Sequence, residues 1–225
     1  PDGKEEKLFE PGFLYSGQID VNKKKERLIW DERIPGTRWI NESYSVLKEL
    51  DLKSGMHRIL SNKTRYSQPA YSSSGDTIIT VETGYNGEFH LVFLSAVSGS
   101  VYQKVPSPGN EQLLDPTWIP GTGKVAVITL NNKGKAIYIY DREMKKWVML
   151  FDAGFHQISA LDAHNDRIFF SASFNGIDNI YSIDLNNKNI QQHSSARFGA
   201  FEPEINSSSN VLAFADYSDK GYHLI

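Results

Sequence analysis

The sequence predicts an all-β chain assembled from repeated four-stranded units, and three observations predict it. First, a pattern of short apolar strand, polar turn and apolar β-branched strand at residues 68–82 (QPAYSSSGDTIITVE) returns at 115–129, 159–173 and 202–216. Second, its equivalent positions Pro69, Pro116, Ala160 and Pro203 lie 47, 44 and 43 residues apart. Third, 12% of the residues are aromatic while 17 Gly and 9 Pro interrupt the chain, a balance that favours short strands and many turns.

Each hairpin is half of a unit. After residue 82 comes a loop with Gly84, Asn86 and Gly87, an apolar run at 90–94, a Ser-Gly turn at 98–99 and an extended piece at 101–105. The next unit repeats this order with strands at 136–140, closed by Asp141, and 146–151; the third has 179–183, closed by Asp184, and 189–193. A four-stranded unit recurring at this period is the mark of a propeller blade. Ile78-Ile79, residues 125–128, 168–170 and 211–214 are nearly continuous apolar runs. Strands covered on both faces, as in stacked blades, read this way.

Upstream, residues 17–31 hold a strand, the basic turn 23–25 and the run Leu28-Ile29-Trp30. Residues 43–52 could stand as a helix with Gly55 as its stop, but Asp51 keeps the repeat register and favours a third strand. The expected blades are 13–60, 66–105, 113–151, 157–194 and 201–225, about five in a single domain spanning 1–225. Residues 222–225 read as a third strand where the chain stops, so 5–9 are expected to supply the closing fourth strand. The rival reading is an open fragment of a larger ring.

Charge and composition exclude several classes. With 24 basic and 27 acidic residues the net charge is −3 and no basic stripe stands out, so no nucleic-acid partner is expected. Cysteine is absent, which removes disulfides, thiolate chemistry and cysteine-based zinc sites. No apolar stretch is long enough for a membrane helix, so direct membrane insertion is not expected either.

No catalytic signature is present: no HExxH, no GxSxG, no phosphate loop. Gly121-Thr122-Gly123-Lys124 reads as a hairpin turn, and the six histidines lack ligand spacing, so no metal, no cofactor and no catalytic residue are expected. Asp31-Glu32-Arg33 with Arg38-Trp39 forms the densest polar-aromatic cluster, placed by the sequence in a loop. Its two carboxylates could act on a glycosidic bond, or serve as ion pairs. The pairs Arg65-Tyr66 and Arg197-Phe198 precede first strands, and Arg with an aromatic is a favoured interface anchor. A guanidinium capping a blade junction would look the same. The candidate binding residues are therefore Arg38, Trp39, Arg65, Tyr66, Arg197 and Phe198, and the expected partner is a protein or peptide.

The repeat resembles the TolB-like, WD-like propeller repeats of bacterial exported proteins. The resemblance rests on Pro69, Ser72, Ser74, Gly75, Asp76 and Ile78-Ile79, on Pro116, Pro120, Gly121 and Lys124 with Ile139-Tyr140-Asp141, and on Ile180-Tyr181 with Asp184. Arg38-Trp39 with Tyr44-Ser45, Arg65-Tyr66, residues 176–181 and residues 195–201 are similar to propellers of large exported Bacteroidetes-type proteins, which often also carry a metallopeptidase-like region. That likeness implies a periplasmic or cell-surface location, a binding or scaffolding role, and contacts with other domains of the full-length chain. It also keeps open a gating role beside a peptidase.

Overall fold

Apolar runs bounded by Asn, Gly, Ser and Asp turns form strands throughout, and in the computed structural model, which describes residues 7–22, 24–38, 42–206 and 210–225, they build a five-bladed all-β propeller. The chain groups into two compact units, Pro1–Pro106 and Ser107–Ile225.

The first unit holds two antiparallel sheets in simple up-and-down order. One comprises β1 (Leu14–Asn22), β2 (Arg27–Ile34), β3 (Tyr44–Asp51) and β4 (His57–Ile59); the other β5 (Tyr66–Tyr71), β6 (Thr77–Thr83), β7 (Phe89–Ser95) and β8 (Val101–Pro106). Residues 44–51 are thus a strand, paired with β2 from Arg27↔Asp51 to Ile34↔Tyr44. The second unit holds β9 (Gln112–Ile119), β10 (Lys124–Asn131), β11 (Gly134–Asp141) and β12 (Lys146–Gly154), then β13 (Ile158–His164), β14 (Arg167–Ala172), β15 (Asn179–Asp184) and β16 (Ile190–Gln192). Its last sheet, β17 (Ala200–Asn206), β18 (Val211–Ser218) and β19 (Gly221–Leu224), has three strands among the described residues.

Within each unit the first strand of a blade packs on the blade before it: β5 on β1 to β3, β13 on β9 and β10, β17 on β13 to β15. The continuous runs fill these seams, with Ile29, Leu47, Tyr66, Tyr71, Ile78 and Val92 in one cluster and Ile128, Ile137, Ile158, Ile168, Phe170 and Tyr181 in another.

The recurring proline marks a bulge. Gln68, Asp115, Ala160 and Glu202 all adopt positive φ, between 48° and 55°, and the ladders there skip register. A left-handed residue is the hallmark of such bulges, and the following Pro69, Pro116 and Pro203 sit where a missing N–H costs no ladder bond. The structural counterpart of Pro69 in the fourth blade is therefore Leu161, one residue later than the sequence spacing placed it. Amides released by the bulged strands are taken up by carboxylates of the preceding blade. Gln68 N donates to Asp31 Oδ1 (3.0 Å), Tyr71 N to Asp20 Oδ2 (2.7 Å), Ala160 N to Asp115 Oδ2 (2.8 Å) and Ile205 N to Asp162 Oδ2 (2.8 Å). Buried backbone donors demand such partners, so acidic side chains stitch blade to blade.

The Asp that ends third strands also has a structural task. Asp51 accepts from Lys53 N and Ser54 N, Asp141 from Glu143 N and Met144 N, Asp184 from Asn186 N and Asn187 N, all within 2.9–3.1 Å. These amide bonds, chiefly, hold all three carboxyls below the usual aspartate value. Each also faces a cation across the strand pair: Arg27, Lys124 and Arg167. In the second blade both partners are replaced together, Thr77 facing Ser95.

The expected closing strand, 5–9, falls partly outside the described residues. Lys7 to Phe9 carry no strand. Phe9 lies 4.7 Å from the Trp30 ring, within the cluster of Leu28, Trp30 and Leu50 in the first blade.

Candidate binding site

Alternating strand direction sends the connection between second and third strands, and the connection to the next blade, to the same end of each sheet. In the first unit those connections are 35–43, 60–65 and 84–88, and in the second they include 155–157, 173–178 and 193–199. Of the sequence-nominated residues, Arg38, Arg65 and Tyr66 belong to this end of the sheets in the first unit, and Arg197 and Phe198 to this end in the second. Trp39 lies outside the described residues; Arg38 is exposed.

Arg65 is set by the segment just before it. Thr64 forms a bridge with Ser45 (Ser45 N to Thr64 O, 2.7 Å; Thr64 N to Ser45 O, 3.1 Å), and Thr83 N donates to Arg65 O at 3.2 Å. The Arg65 guanidinium lies 5.0 Å from the ring centroid of Tyr85, which is 80% exposed. The expected Arg65-Tyr66 pairing is thus replaced by a stack on Tyr85, because Tyr66 opens β5 and is buried in the seam. Burial, reinforced by the charge of Glu82, pushes the Tyr66 phenol up to about 12, so it stays a neutral hydroxyl. Arg33, Ser43, Tyr44, Ser45, Arg65, Tyr66 and Thr83 line a pocket of about 30 Å³. Nothing in the sequence brings Arg33 and Tyr44 to Arg65; strand register does.

Arg197 and Phe198 do pair as read, 5.2 Å from guanidinium to ring, with Phe198 half exposed. Their loop hangs on the buried Asn179, whose Oδ1 accepts from Ser194 Oγ (3.0 Å) and Ala196 N (2.8 Å) while Ser194 Oγ takes Ile180 N (2.8 Å). Asn179 was unremarkable in the sequence, one more asparagine beside a turn.

Asp31, Glu32 and Arg33 are not in a loop. β2 runs through them to Ile34, because pairing with β3 continues to Tyr44. Asp31 and Glu32 are 1% and 4% exposed. Glu32 accepts from Trp30 Nε1 (2.8 Å) and Gly12 N (3.1 Å) and meets Lys48 Nζ at 2.7 Å. Burial pushes this carboxyl up, but the bonds from Lys48, Trp30 and Gly12 outweigh it and hold the carboxyl below its ordinary value. An ionised, sealed carboxylate of this kind braces a blade. Among the described residues no three or more His, Asp or Glu converge as a metal site, and no helix is long and apolar enough to cross a membrane.

No model of a known protein family matches the chain, and no curated protein sequence matches it. Its structure matches TolB from Acinetobacter baumannii with a TM-score of 0.70 at 14% identity, covering 88% of this chain and 49% of that one. A protein assigned as TolB from Agrobacterium tumefaciens matches at 0.72 and 13% identity, over 94% of this chain and 73% of the other. The fold is TolB-like. The same fold extends to the propeller domain of the Trilobed protease from Pyrococcus furiosus, at 0.56 and 11% identity over 92% and 77% of the two chains, a domain described as having an open velcro topology. The TolB-like chain thus spans about half the length of the Acinetobacter protein.

Proposed function

We propose that the chain is a non-catalytic protein- or peptide-binding propeller module of a larger exported protein, at the periplasm or cell surface. The observation that carries this reading is the sorting of charge. The nominated carboxylates Asp31 and Glu32 are buried in hydrogen bonds within the first blade. Arg65 and Arg197, in contrast, each sit in a connection between strands, beside the exposed rings of Tyr85 and Phe198 respectively. Exposed Arg-aromatic anchors on a rigid scaffold suit recognition, and sealed carboxylates suit support. The TolB-like fold supports a module of this kind, and the resemblance of the repeat supports export.

A gating propeller beside a peptidase is the second reading, favoured by the likeness to the Trilobed protease domain. In a pull-down from the producing cell, Arg65→Ala, Arg197→Ala and Phe198→Ala are expected to reduce capture of a partner about tenfold or more while the thermal melt stays unchanged. Undiminished capture by all three variants overturns these residues as the binding surface. If removing the propeller opens an attached peptidase to large substrates, the gating reading replaces the first.

A further inference from the structure

The connection that carries Arg197 and Phe198 has a titratable group at its root. It leaves β16, a three-residue strand that is exposed throughout and pairs with β15 at Tyr181, Ser182 and Ile183. The next residue, His193, fastens the connection to the sheet. Its N donates to Ile180 O at 2.8 Å, its ring lies 5.2 Å from the buried ring of Phe169, and its Nε2 meets Ser182 Oγ at 2.8 Å. Ser182 is buried, and Arg167 Nη1 donates to the same oxygen at 3.0 Å. A guanidinium only donates. Ser182 Oγ therefore accepts from Arg167 and keeps its own proton for Nε2, the arrangement of a neutral imidazole with its hydrogen on Nδ1. Protonation reverses this, because two cations then aim donors at one hydroxyl oxygen beside an apolar ring.

The charged and titratable groups on the strands packed around this position are Asp162 and His164 on β13, Arg167 on β14, Asp184 on β15, and Glu202 and Glu204 on β17. The connection itself adds Arg197. Asp162 is taken by Ala163 N and Ile205 N, and Asp184 by its turn amides and Arg167. Partial burial first, and then the Arg167 charge, hold the His193 imidazole below its ordinary value of about 6.5. Resting on the recognition reading above, we infer that His193 is an acid-sensitive latch on the connection 193–199. Neutral, it holds the root of the connection on Ser182; protonated beside Arg167, it lets go, and capture through Arg197 and Phe198 weakens. Asn179, which fixes Ser194 and Ala196, does not titrate, so release at His193 loosens the connection without unfolding the blade. With the folded value below the unfolded one, the latch is complete above about 6.5 and is lost as pH falls through the folded value.

The test follows the whole chain by NMR from about pH 7.5 to about pH 5. Expected are an Nδ1–H tautomer of His193 at the upper end and a fall in the heteronuclear NOE of residues 194–199 that tracks the His193 titration. His193→Gln, which keeps an acceptor for Ser182 and cannot charge, should hold that NOE constant. Arg167→Gln, which removes the facing cation, should move both midpoints upward together. An Nε2–H tautomer, a connection that stays ordered through the titration, or an undiminished acid response in His193→Gln overturns the inference. Partner capture in the pull-down above should fall about threefold or more over the same range, as the competent fraction of the connection drops. Capture that ignores pH but is lost in Arg197→Ala sinks the latch and leaves the recognition reading standing. Capture indifferent to Arg197→Ala, with the connection still loosening in acid, does the reverse.

Discussion

Between the first and second blades the contact is organised around a buried carboxylate, and between the third and fourth around aromatic rings. Glu49, 2% exposed, takes Arg58 through both oxygens (2.7 and 3.0 Å), Arg27 Nη1 at 3.2 Å and the Tyr71 hydroxyl at 2.5 Å. Arg58 then reaches across to the carbonyls of Ala96 and Val97 in the turn after β7, tying the outer edge of one blade to the next. At the other seam Phe170 sits within 6.2–6.3 Å of Phe151, Phe174 and Tyr181, inside a continuous apolar cluster. The apolar seam gains from area removed from water and tolerates small slips. A network of directional bonds fixes one arrangement, and it is costly if any member is lost.

The two seams should break differently. Phe170→Ala is expected to cost about 3–5 kcal/mol in urea unfolding, and Phe170→Leu to recover most of it, because volume is what matters there. Glu49→Ala should cost about 3 kcal/mol, near the low end for a broken buried ion pair since the guanidiniums remain about one-third exposed. Here restoring volume alone should fail: Glu49→Leu stays destabilised until Arg58→Met is added. If Glu49→Leu by itself is as stable as the parent, the network is ornamental and the contrast between the seams falls.

A gentler probe uses the hairpin aspartates. Asp51, Asp141 and Asp184 have folded values below their unfolded one, ordinarily about 3.8. Their contribution is therefore complete above that value and is lost as pH falls through the depressed one. Lowering the pH from about 5 to about 3 should reduce the unfolding midpoint, and Asp141→Asn should flatten that dependence. Ser95→Asp with Thr77→Lys installs in the second blade what the others have, and a steeper acid dependence is expected. An unchanged slope in both variants would show that these turns do not set acid stability.

Much of the fold was legible. The hairpin repeat, the continuous second strands and the terminal Asp of third strands are local, and local chemistry dictates them: turn residues accept their geometry, and apolar runs must be covered. The candidate site was legible only in part. Arg197-Phe198 is a neighbouring pair and could be read directly. Arg65 was found, but its stacking partner Tyr85 lies across a strand and a turn, and Tyr66 was turned into the core by strand alternation.

The sequence by itself determined the blade: its period, its turns and the apolar runs that require stacking. The tertiary structure alone decided which charges meet. It buried Asp31, Glu32 and Glu49 as braces, carried Asp20, Asp115 and Asp162 to the next blade's open amides, and stacked Arg65 on Tyr85. Backbone periodicity is written within a few residues of itself, whereas an ion pair depends on distances set by strands dozens of residues apart.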